Sequence, residues 1–149
     1  MPQDSAGQDR AGQDSAGSPG RTSRVEVGFR VAHRRYVPYS HAHYAGNLVD
    51  GAYVTALFGD VATELLIHAD GDEGLFAAYS DVQFRGALRG GDVVEVTATL
   101  VRAGRRSREI EFAAHVICRG TPERGTNSAD VLAEPLLITT ATGTVVAPA

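Results

Sequence analysis

The sequence contains no lysine, because all 14 basic residues among its 149 are arginines. A chain without lysine cannot form a Schiff base with pyridoxal phosphate or with a carbonyl substrate. It also cannot carry a phosphate-binding loop that ends in Gly-Lys-Ser or Gly-Lys-Thr. These two classes of mechanism are therefore excluded by composition.

Cysteine is almost absent as well, and Cys118 is the single example. One cysteine excludes a disulfide framework and every CxxC metal or redox motif. Because Cys118 continues the apolar alternation of a predicted strand, we expect a packed residue rather than a reactive thiol.

Positive charge is scarcer than negative charge, with 14 arginines against 18 acidic residues and a formal net charge of -4. This balance argues against a surface that binds nucleic-acid phosphates. No apolar run approaches the roughly 20 residues of a membrane-spanning helix. The first residues also lack the apolar stretch of a secretory signal. We therefore expect a cytoplasmic protein with neither a membrane nor a nucleic acid as partner.

The N-terminal segment differs in composition from the remainder of the chain. It repeats Ala-Gly-Gln-Asp at positions 6–9 and 11–14 and has no bulky apolar residue after Met1. Such a segment cannot offset the entropy lost on ordering. The sequence predicts a disordered tail over residues 1–20 and a single domain over 21–149, which is long enough to bury a core.

Apolar periodicity predicts one long helix and five strands. Residues 47–68 form a proline-free stretch with apolar positions at helical spacing, and Asn47 is a suitable N-cap. Alternating apolar and polar residues predict strands at 24–32, 75–88, 93–101, 110–118 and 136–146. One helix wrapped by a curved antiparallel sheet of about five strands is the α+β hotdog fold. Its open edge strands favour a dimer with a continuous sheet.

A long motif begins just before the predicted helix and continues into it. It reads HYAGNLVDGA at positions 43–52 and FGDVATE at 58–64. This motif resembles that of the hotdog-fold 3-aminoacyl-CoA ammonia-lyases, which act on β-alanyl-CoA and 3-aminobutyryl-CoA. The resemblance extends from about Val37 to the end of the chain. One position departs from the family pattern, because His41 stands where the family usually has Asp.

The resemblance implies elimination of ammonia from a short 3-aminoacyl-CoA, or its addition to a 2-enoyl-CoA, by a homodimer or a dimer-based hexamer. Coenzyme A then enters as part of the substrate, and no separate cofactor is expected. Removing the proton α to a thioester leaves negative charge on the thioester oxygen, so the site needs a base and hydrogen-bond donors. The free N–H groups of a helix start are such donors. We expect Gly46 and Asn47 to supply them.

Three acidic residues on the predicted helix are candidates for the base. At about 100° per residue, Asp50, Asp60 and Glu64 fall on one face. Two acids one turn apart can acquire different pKa values and act as an acid and a base. A solvated stripe, or a structural pair at a dimer interface, explains the same spacing. The apolar neighbours of Asp60 and Glu64, together with the resemblance, favour these two as catalytic residues over Asp50.

Two histidines precede the predicted helix. We expect His43 to move a proton on or off the leaving ammonia, although a packed loop histidine is the alternative. We expect His41 to contact the substrate. The two form a His-x-His pair, but no third ligand of suitable spacing follows, so a metal site is not expected.

Tyrosines and arginines complete the candidate site. Tyr44 and Tyr79 are possible donors to the thioester or the amine, with a packed aromatic as the alternative for each. Arg105 and Arg106, with Arg108 and Arg89 nearby in turns, are candidates to bind the phosphates of coenzyme A. A solvated turn is the alternative for each arginine.

Other functions share the same fold. A hotdog acyl-CoA thioesterase would use Asp60 or Glu64 to activate water or attack the thioester. A hotdog hydratase is a third enzymatic possibility, but its usual Asp and His loop pair is not intact here. A non-catalytic acyl-CoA-binding or assembly module would tolerate loss of the carboxylates.

Overall fold

The computed structural model describes residues 22–147, so the predicted tail lies outside the described residues. The elements in chain order are β1 (Arg30–Tyr36), a 3-10 turn (Tyr39–His41), β2 (Ala42–Tyr44), β3 (Leu48–Val49), α1 (Gly51–Asp70), β4 (Leu75–Phe84), β5 (Leu88–Arg89), β6 (Val93–Ala103), β7 (Ser107–Gly120) and β8 (Ala129–Val146). In this part of the chain no helix has the length and apolar character needed to cross a membrane. The cytoplasmic location stays a prediction.

The strands form two sheets around the single helix. The larger sheet has five strands in the order β1-β6-β7-β8-β4, and the smaller one has three in the order β2-β3-β5. All described pairings in the large sheet are antiparallel. The predicted α+β hotdog fold, with one helix and a five-stranded antiparallel sheet, is confirmed.

The core lies between α1 and the inner face of the large sheet. Alternate residues of β6 and β7 are buried because successive side chains of a strand point to opposite faces. The helix contributes residues at helical spacing, and the ring centroids of Phe58 and Phe112 lie 5.0 Å apart. Full burial of each such side chain contributes roughly 1.5–3 kcal/mol. The main members of the core are Val54, Phe58, Val61, Leu65, Leu66, Val94, Val96, Leu100, Ile110, Phe112, Ala114 and Val116.

The helix runs alongside β4 in the opposite direction. At its start, Gly51 lies so close to Phe84 at the end of β4 that an added Cβ would collide with the ring. At its other end, Leu66 packs against Gly74, just before β4 begins, where an added Cβ would lie 3.1 Å from Leu66 Cγ. The start of α1 therefore lies near the end of β4.

The predicted start of the helix was wrong. Asn47 has φ 60° and Gly46 has φ 74°, and these left-handed conformations form a turn between β2 and β3 rather than a helix cap. The helix begins at Gly51, and Asp50 caps it by accepting a hydrogen bond from Tyr53 N–H at 3.0 Å. It ends at Asp70, where Gly71 takes the left-handed C-cap conformation with φ 65°.

Several predicted strand boundaries also shift. The first strand begins at residue 30 rather than 24, and the preceding segment packs Val25 and Phe29 against the core. Two backbone hydrogen bonds join its end to Leu100 of β6, from Gly28 N–H to the Leu100 carbonyl at 2.8 Å and from Leu100 N–H to the Phe29 carbonyl at 2.9 Å. The predicted strand over 75–88 divides into β4 and β5, which belong to different sheets. The last strand begins at Ala129, seven residues before its predicted start at 136. Cys118 lies in β7 and is half-buried as a free thiol.

A buried ion pair joins the end of α1 to the β6–β7 turn. The side chains of Asp70 and Arg108 are both fully buried, with Nη2 of Arg108 2.7 Å from Oδ1 and Nε 3.1 Å from Oδ2. Nη1 of Arg108 donates to the carbonyls of Gly104 and Ser107 at 2.8 Å and 2.9 Å. The expectation that Arg108 helps to bind phosphates was therefore wrong, because its guanidinium is committed to this pair.

Replacing Asp70 with Asn is expected to destabilise the protein strongly. The substitution removes the charge partner of a buried guanidinium, which costs about 3–5 kcal/mol when one member of a buried pair is lost. Urea denaturation measures the change in the free energy of unfolding.

Glu109→Gln is the matched control on the same hairpin. Glu109 pairs with Arg102 at the surface, with side chains 37% and 70% exposed, so its loss should cost no more than about 1 kcal/mol. Equal, small effects of the two substitutions would show that the buried pair does not anchor the fold.

Candidate active site

The turn at Gly46 and Asn47 brings a histidine to the cap of the helix. It folds β2 back on β3, with Ala42 opposite Val49. As a result, Nε2 of His43 lies 3.1 Å from Oδ2 of Asp50. One oxygen of the Asp50 carboxylate therefore caps the first turn of α1, and the other lies beside the ring of His43.

A cavity of about 270 Å³ adjoins the first turn of α1. Most of its lining is apolar and comes from α1, the small sheet and the segment that ends β4. Its polar lining residues include Asp50, Thr139 and Tyr44, the last of which the sequence analysis names as a candidate donor. Gly51 also lines the cavity. The apolar lining includes Leu48, Val49, Val54, Phe84, Leu88 and Ile138. A carboxylate and a helix start therefore face an apolar pocket.

The backbone donors differ from those expected. Gly46 and Asn47 precede the helix, and Asn47 is engaged with Gly90, its Nδ2 donating to the carbonyl at 2.8 Å. The first N–H groups of a helix have no intrahelical acceptor. Since Asp50 accepts from Tyr53, the first helical residues, Gly51 and Ala52, hold the remaining donors of the helix start. The assignment of the donors to Gly46 and Asn47 was wrong in position by about one turn.

The second loop histidine packs on the helix. The ring of His41 lies 4.7 Å from that of Tyr53, centroid to centroid, at an angle of 50°. Burial raises the pKa of Tyr53 above its ordinary value, against an opposing effect of Arg35. Among residues 22–147 no group of three or more His, Cys, Asp or Glu side chains is arranged to hold a metal ion.

Glu64 lies between two histidines. The Nε2 atoms of His33 and His68 are 3.0 Å and 3.3 Å from its two carboxylate oxygens. The hydrogen bond with His33, more than the one with His68, holds the pKa of the Glu64 carboxyl below its ordinary value. His33 belongs to β1 and was missed by sequence reasoning, because nothing near it in the chain indicates a contact with α1.

Asp60 lies on α1 one turn before Glu64, and its side chain is exposed. No described residue forms a hydrogen bond or ion pair with it.

The predicted catalytic residues do not converge within one chain. Glu64 lies 14 residues beyond Asp50, which corresponds to about 20 Å along the helix axis. Asp60 lies about 15 Å from Asp50 on the same basis. The structure therefore brings His43 to Asp50 and leaves Asp60 and Glu64 about three to four turns away.

The remaining predicted residues lie elsewhere on the fold. Arg105 and Arg106 occupy the β6–β7 turn beside the end of α1, about 30 Å along the helix from its start. Tyr79 is half-buried on β4, its ring 4.4 Å from that of Phe76, and its hydroxyl lies 3.5 Å from the carbonyl of Thr55. Burial raises the pKa of Tyr79.

Comparisons with known proteins agree with this architecture. Residues 46–123 match the family model described as the thioesterase superfamily. The 3-aminobutyryl-CoA ammonia lyase of Acetoanaerobium sticklandii is 46% identical over 107 residues, which cover 72% of this chain and 85% of that protein.

Solved structures of similar fold include an ammonia lyase and a thioesterase. The β-alanyl-CoA:ammonia lyase from Clostridium propionicum superposes with a TM-score of 0.77 at 33% identity, covering 82% of this chain and 87% of that one. A hexameric thioesterase from Yersinia pestis superposes with a TM-score of 0.65 at 17% identity, covering 84% and 91%, and shows the fold alone. The chain therefore belongs to the thioesterase superfamily and, within it, to the hotdog-fold 3-aminoacyl-CoA ammonia-lyases.

Proposed function

We propose that this protein eliminates ammonia from a short 3-aminoacyl-CoA, and adds ammonia to the corresponding 2-enoyl-CoA, at the start of α1. The observation that carries the proposal is the Asp50–His43 pair at the apolar cavity of about 270 Å³. The similarity to two ammonia lyases supports the reaction class. The expected base changes from Asp60 or Glu64 to Asp50, because Asp50 lines a cavity and adjoins His43.

In the elimination, the first step moves a proton from C2 of the substrate. The carboxylate of Asp50 takes a proton from C2, and the electron pair of that bond moves onto the thioester, whose oxygen carries the negative charge of the enolate. That electron pair then returns to form the double bond between C2 and C3. The C3–N bond breaks, and nitrogen keeps its electron pair and leaves as ammonia from the ammonium form of the substrate. The proton on Asp50 passes to His43 and then to solvent, so atoms and charge balance. Addition of ammonia follows these steps in reverse.

Negative charge on the thioester oxygen is stabilised by the helix start. The N–H groups of Gly51 and Ala52, with the positive end of the helix dipole, act as preorganised donors. Proton transfer and these donors complete the reaction, so we propose that it uses no cofactor beyond the coenzyme A carried by the substrate. The cavity volume lies below the roughly 300–1,000 Å³ of sites for drug-sized ligands, which favours a short acyl group.

We also propose that β4 joins two copies of the chain. Within residues 22–147, β4 pairs on one side only, with β8, and Leu75 and Phe84 at its two ends are 64% and 61% exposed. Antiparallel pairing of two β4 edges would make one continuous sheet and cover these side chains. Because Phe84 lines the cavity at the start of α1, the second copy would also close that cavity. The hexameric thioesterase of similar fold supports a larger assembly of such dimers.

Purified protein mixed with crotonyl-CoA or acryloyl-CoA and ammonium is expected to remove the enoyl absorbance without releasing free thiol. Asp50→Asn should lower kcat by about 10²–10⁴-fold, the usual contribution of general acid–base catalysis. Asn is as good an N-cap as Asp, so this variant keeps the helix start and removes the base.

Asp60→Asn and Glu64→Gln distinguish the competing positions for the base, with Glu111→Gln as an exposed control on β7. Loss of activity in Asp60→Asn or Glu64→Gln, with Asp50→Asn fully active, would place the base in the middle of the helix. Release of free thiol by the unmodified protein would make it a thioesterase.

The Glu64 carboxylate is expected to stabilise the fold rather than to act on substrate. Because its pKa is lowered in the folded protein, its contribution is present above the ordinary value of 4.5 and is lost as pH falls through the lower folded value. Thermal denaturation should therefore show Glu64→Gln less stable than the unmodified protein at pH 7, by no more than about 1 kcal/mol for this half-exposed group. The difference in stability between the two proteins should shrink below pH 4.5.

The double variant tests whether His33 is the partner that matters. In a His33→Asn background, Glu64→Gln should lower the stability by less than it does in the unmodified protein. An equal loss of stability in both backgrounds would contradict this role.

A further inference from the structure

The inner face of β8 carries a polar side chain in a row of apolar ones. From residue 139 onward, alternate positions of β8 are buried, and they are Thr139, Ala141, Gly143 and Val145. Thr139 is 1% exposed. A valine at this position would have the same shape and no hydroxyl to remove from water. The hydroxyl of Thr139 therefore costs stability unless it forms a hydrogen bond.

A β-bulge directs Thr139 toward the cavity at the start of α1. The register of β8 against β7 shifts at Ile138, which is an extra residue in β8. The backbone N–H groups of Arg85 and Gly86 both donate to the Ile138 carbonyl, at 2.7 Å and 3.1 Å. A bulge interrupts the alternation of side chains and can re-aim one of them. As a result, Ile138 and Thr139 are neighbours in the chain, yet both are buried and both line this cavity.

The hydroxyl of Thr139 is open to the cavity and has no partner. Among residues 22–147, none forms a hydrogen bond with Thr139 Oγ1. In this part of the chain, the one fully enclosed polar side-chain atom without a partner is Nδ1 of His33. Thr139 Oγ1 is therefore not fully enclosed. Because the residue lines the cavity and is otherwise buried, its hydroxyl oxygen faces that space.

The other polar groups of this cavity already have roles in the proposed reaction. Asp50 is the base, and the N–H groups of Gly51 and Ala52 bind the thioester oxygen. Tyr44 is 57% exposed, so it lies at the mouth of the cavity. The polar group of a 3-aminoacyl chain that still lacks a partner is its amino group. Thr139 is the buried hydroxyl that remains for it.

One short acyl group can contact both Asp50 and Thr139. Thr139 pairs with Phe84 of β4, and the ring of Phe84 lies against Gly51 at the helix start. Asp50 and Thr139 line the same cavity of about 270 Å³. In a 3-aminoacyl chain the amino nitrogen is bonded to C3, the neighbour of the acidic C2. A base for C2 and an acceptor for the nitrogen must therefore lie in one small space, as these two residues do.

We propose that Thr139 binds the amino group of the substrate. Its hydroxyl oxygen accepts a hydrogen bond from the ammonium group on C3 during elimination, and from ammonia during addition. An ammonium group has N–H donors and no acceptor, so a hydroxyl binds it by accepting. The hydroxyl keeps its own proton and only positions the nitrogen. This inference rests on the proposed function, which supplies the 3-aminoacyl chain.

Two unreactive ligands isolate the contribution of the amino group. S-(3-aminobutyl)-CoA and S-butyl-CoA differ by one amino group, and as thioethers they have no carbonyl to make C2 acidic. In calorimetric titrations at pH 7, Thr139→Val should weaken binding of the amino ligand by about 10- to 100-fold, the range for a hydrogen bond to a charged group. Its affinity for the butyl ligand should not change. Thr139→Ser keeps a hydroxyl and should retain most of the affinity for the amino ligand.

Thr140→Val is the matched control on the same strand. The hydroxyl of Thr140 accepts from Nε of Arg85 at 3.1 Å, and Thr140 lines a separate cavity on the outer face of the large sheet. Its loss should change the affinity for neither ligand. Thr139→Val should unfold at a temperature equal to or above that of the unmodified protein, because it removes an unpaired buried hydroxyl.

The kinetic test uses the addition reaction. Thr139→Val should raise the KM for ammonium by about 2- to 10-fold, the range for a hydrogen bond between neutral groups, and leave the KM for crotonyl-CoA unchanged. A lower kcat with unchanged affinity for both thioethers would place the hydroxyl at the thioester oxygen and overturn the proposal.

The binding outcomes separate this inference from the proposed reaction. If Thr139→Val loses affinity for the amino ligand alone and the unmodified protein shows no lyase activity, the amine site stands and the proposed reaction fails. Equal weakening of both ligands, unchanged binding of the amino ligand by Thr139→Val, its loss in Thr140→Val, or its failure to bind the unmodified protein would each overturn the amine site.

Discussion

The packing of one face of α1 on the large sheet positions the Asp50 carboxylate and the N–H donors of the helix start. Apolar burial holds the helix against β6 and β7, but it does not by itself prevent sliding along the helix axis. The buried pair between Asp70 and Arg108 supplies that restraint, because a charge pair without solvent tolerates little displacement. With its end held there, the helix places its start beside Phe84 at the end of β4.

At that start, the three-residue turn between β2 and β3 places a histidine beside the helix cap. Gly46 and Asn47 take left-handed conformations, and the hairpin they close sets His43 against Asp50. Asp50 thus combines two functions: it caps the helix and presents a carboxylate to an apolar cavity. The same turn lines a second cavity, of about 560 Å³, with Gly46 and Asn47. The segment over 44–48 therefore lines both cavities.

The sequence predicts the elements and the family well, and the boundaries and contacts less well. Periodicity identifies the helix and the five strands of the large sheet because burial on one face leaves a regular pattern. Periodicity misplaces the helix start, because Asn is common both as an N-cap and in left-handed turns. The pairing of β3 with β5, which the local sequence does not show, decides that Asn47 lies in a turn. His33, a partner of Glu64, lies 31 positions away from it, and Arg108 lies 38 positions away from Asp70. Such contacts depend on tertiary structure, so no local pattern indicates His33 as a partner of Glu64 or removes Arg108 from the phosphate candidates.

The central claim is that Asp50 moves the proton at C2 of the substrate. The most direct test adds ammonium to crotonyl-CoA in deuterium oxide and follows deuterium at C2 of the product by NMR. The account predicts that the unmodified protein forms a product with one deuterium at C2 in a single configuration. Asp50→Asn should form that product only at the uncatalysed rate, whereas Glu64→Gln should form it at close to the unmodified rate. Stereospecific labelling by Asp50→Asn at the rate of the unmodified protein would contradict the account.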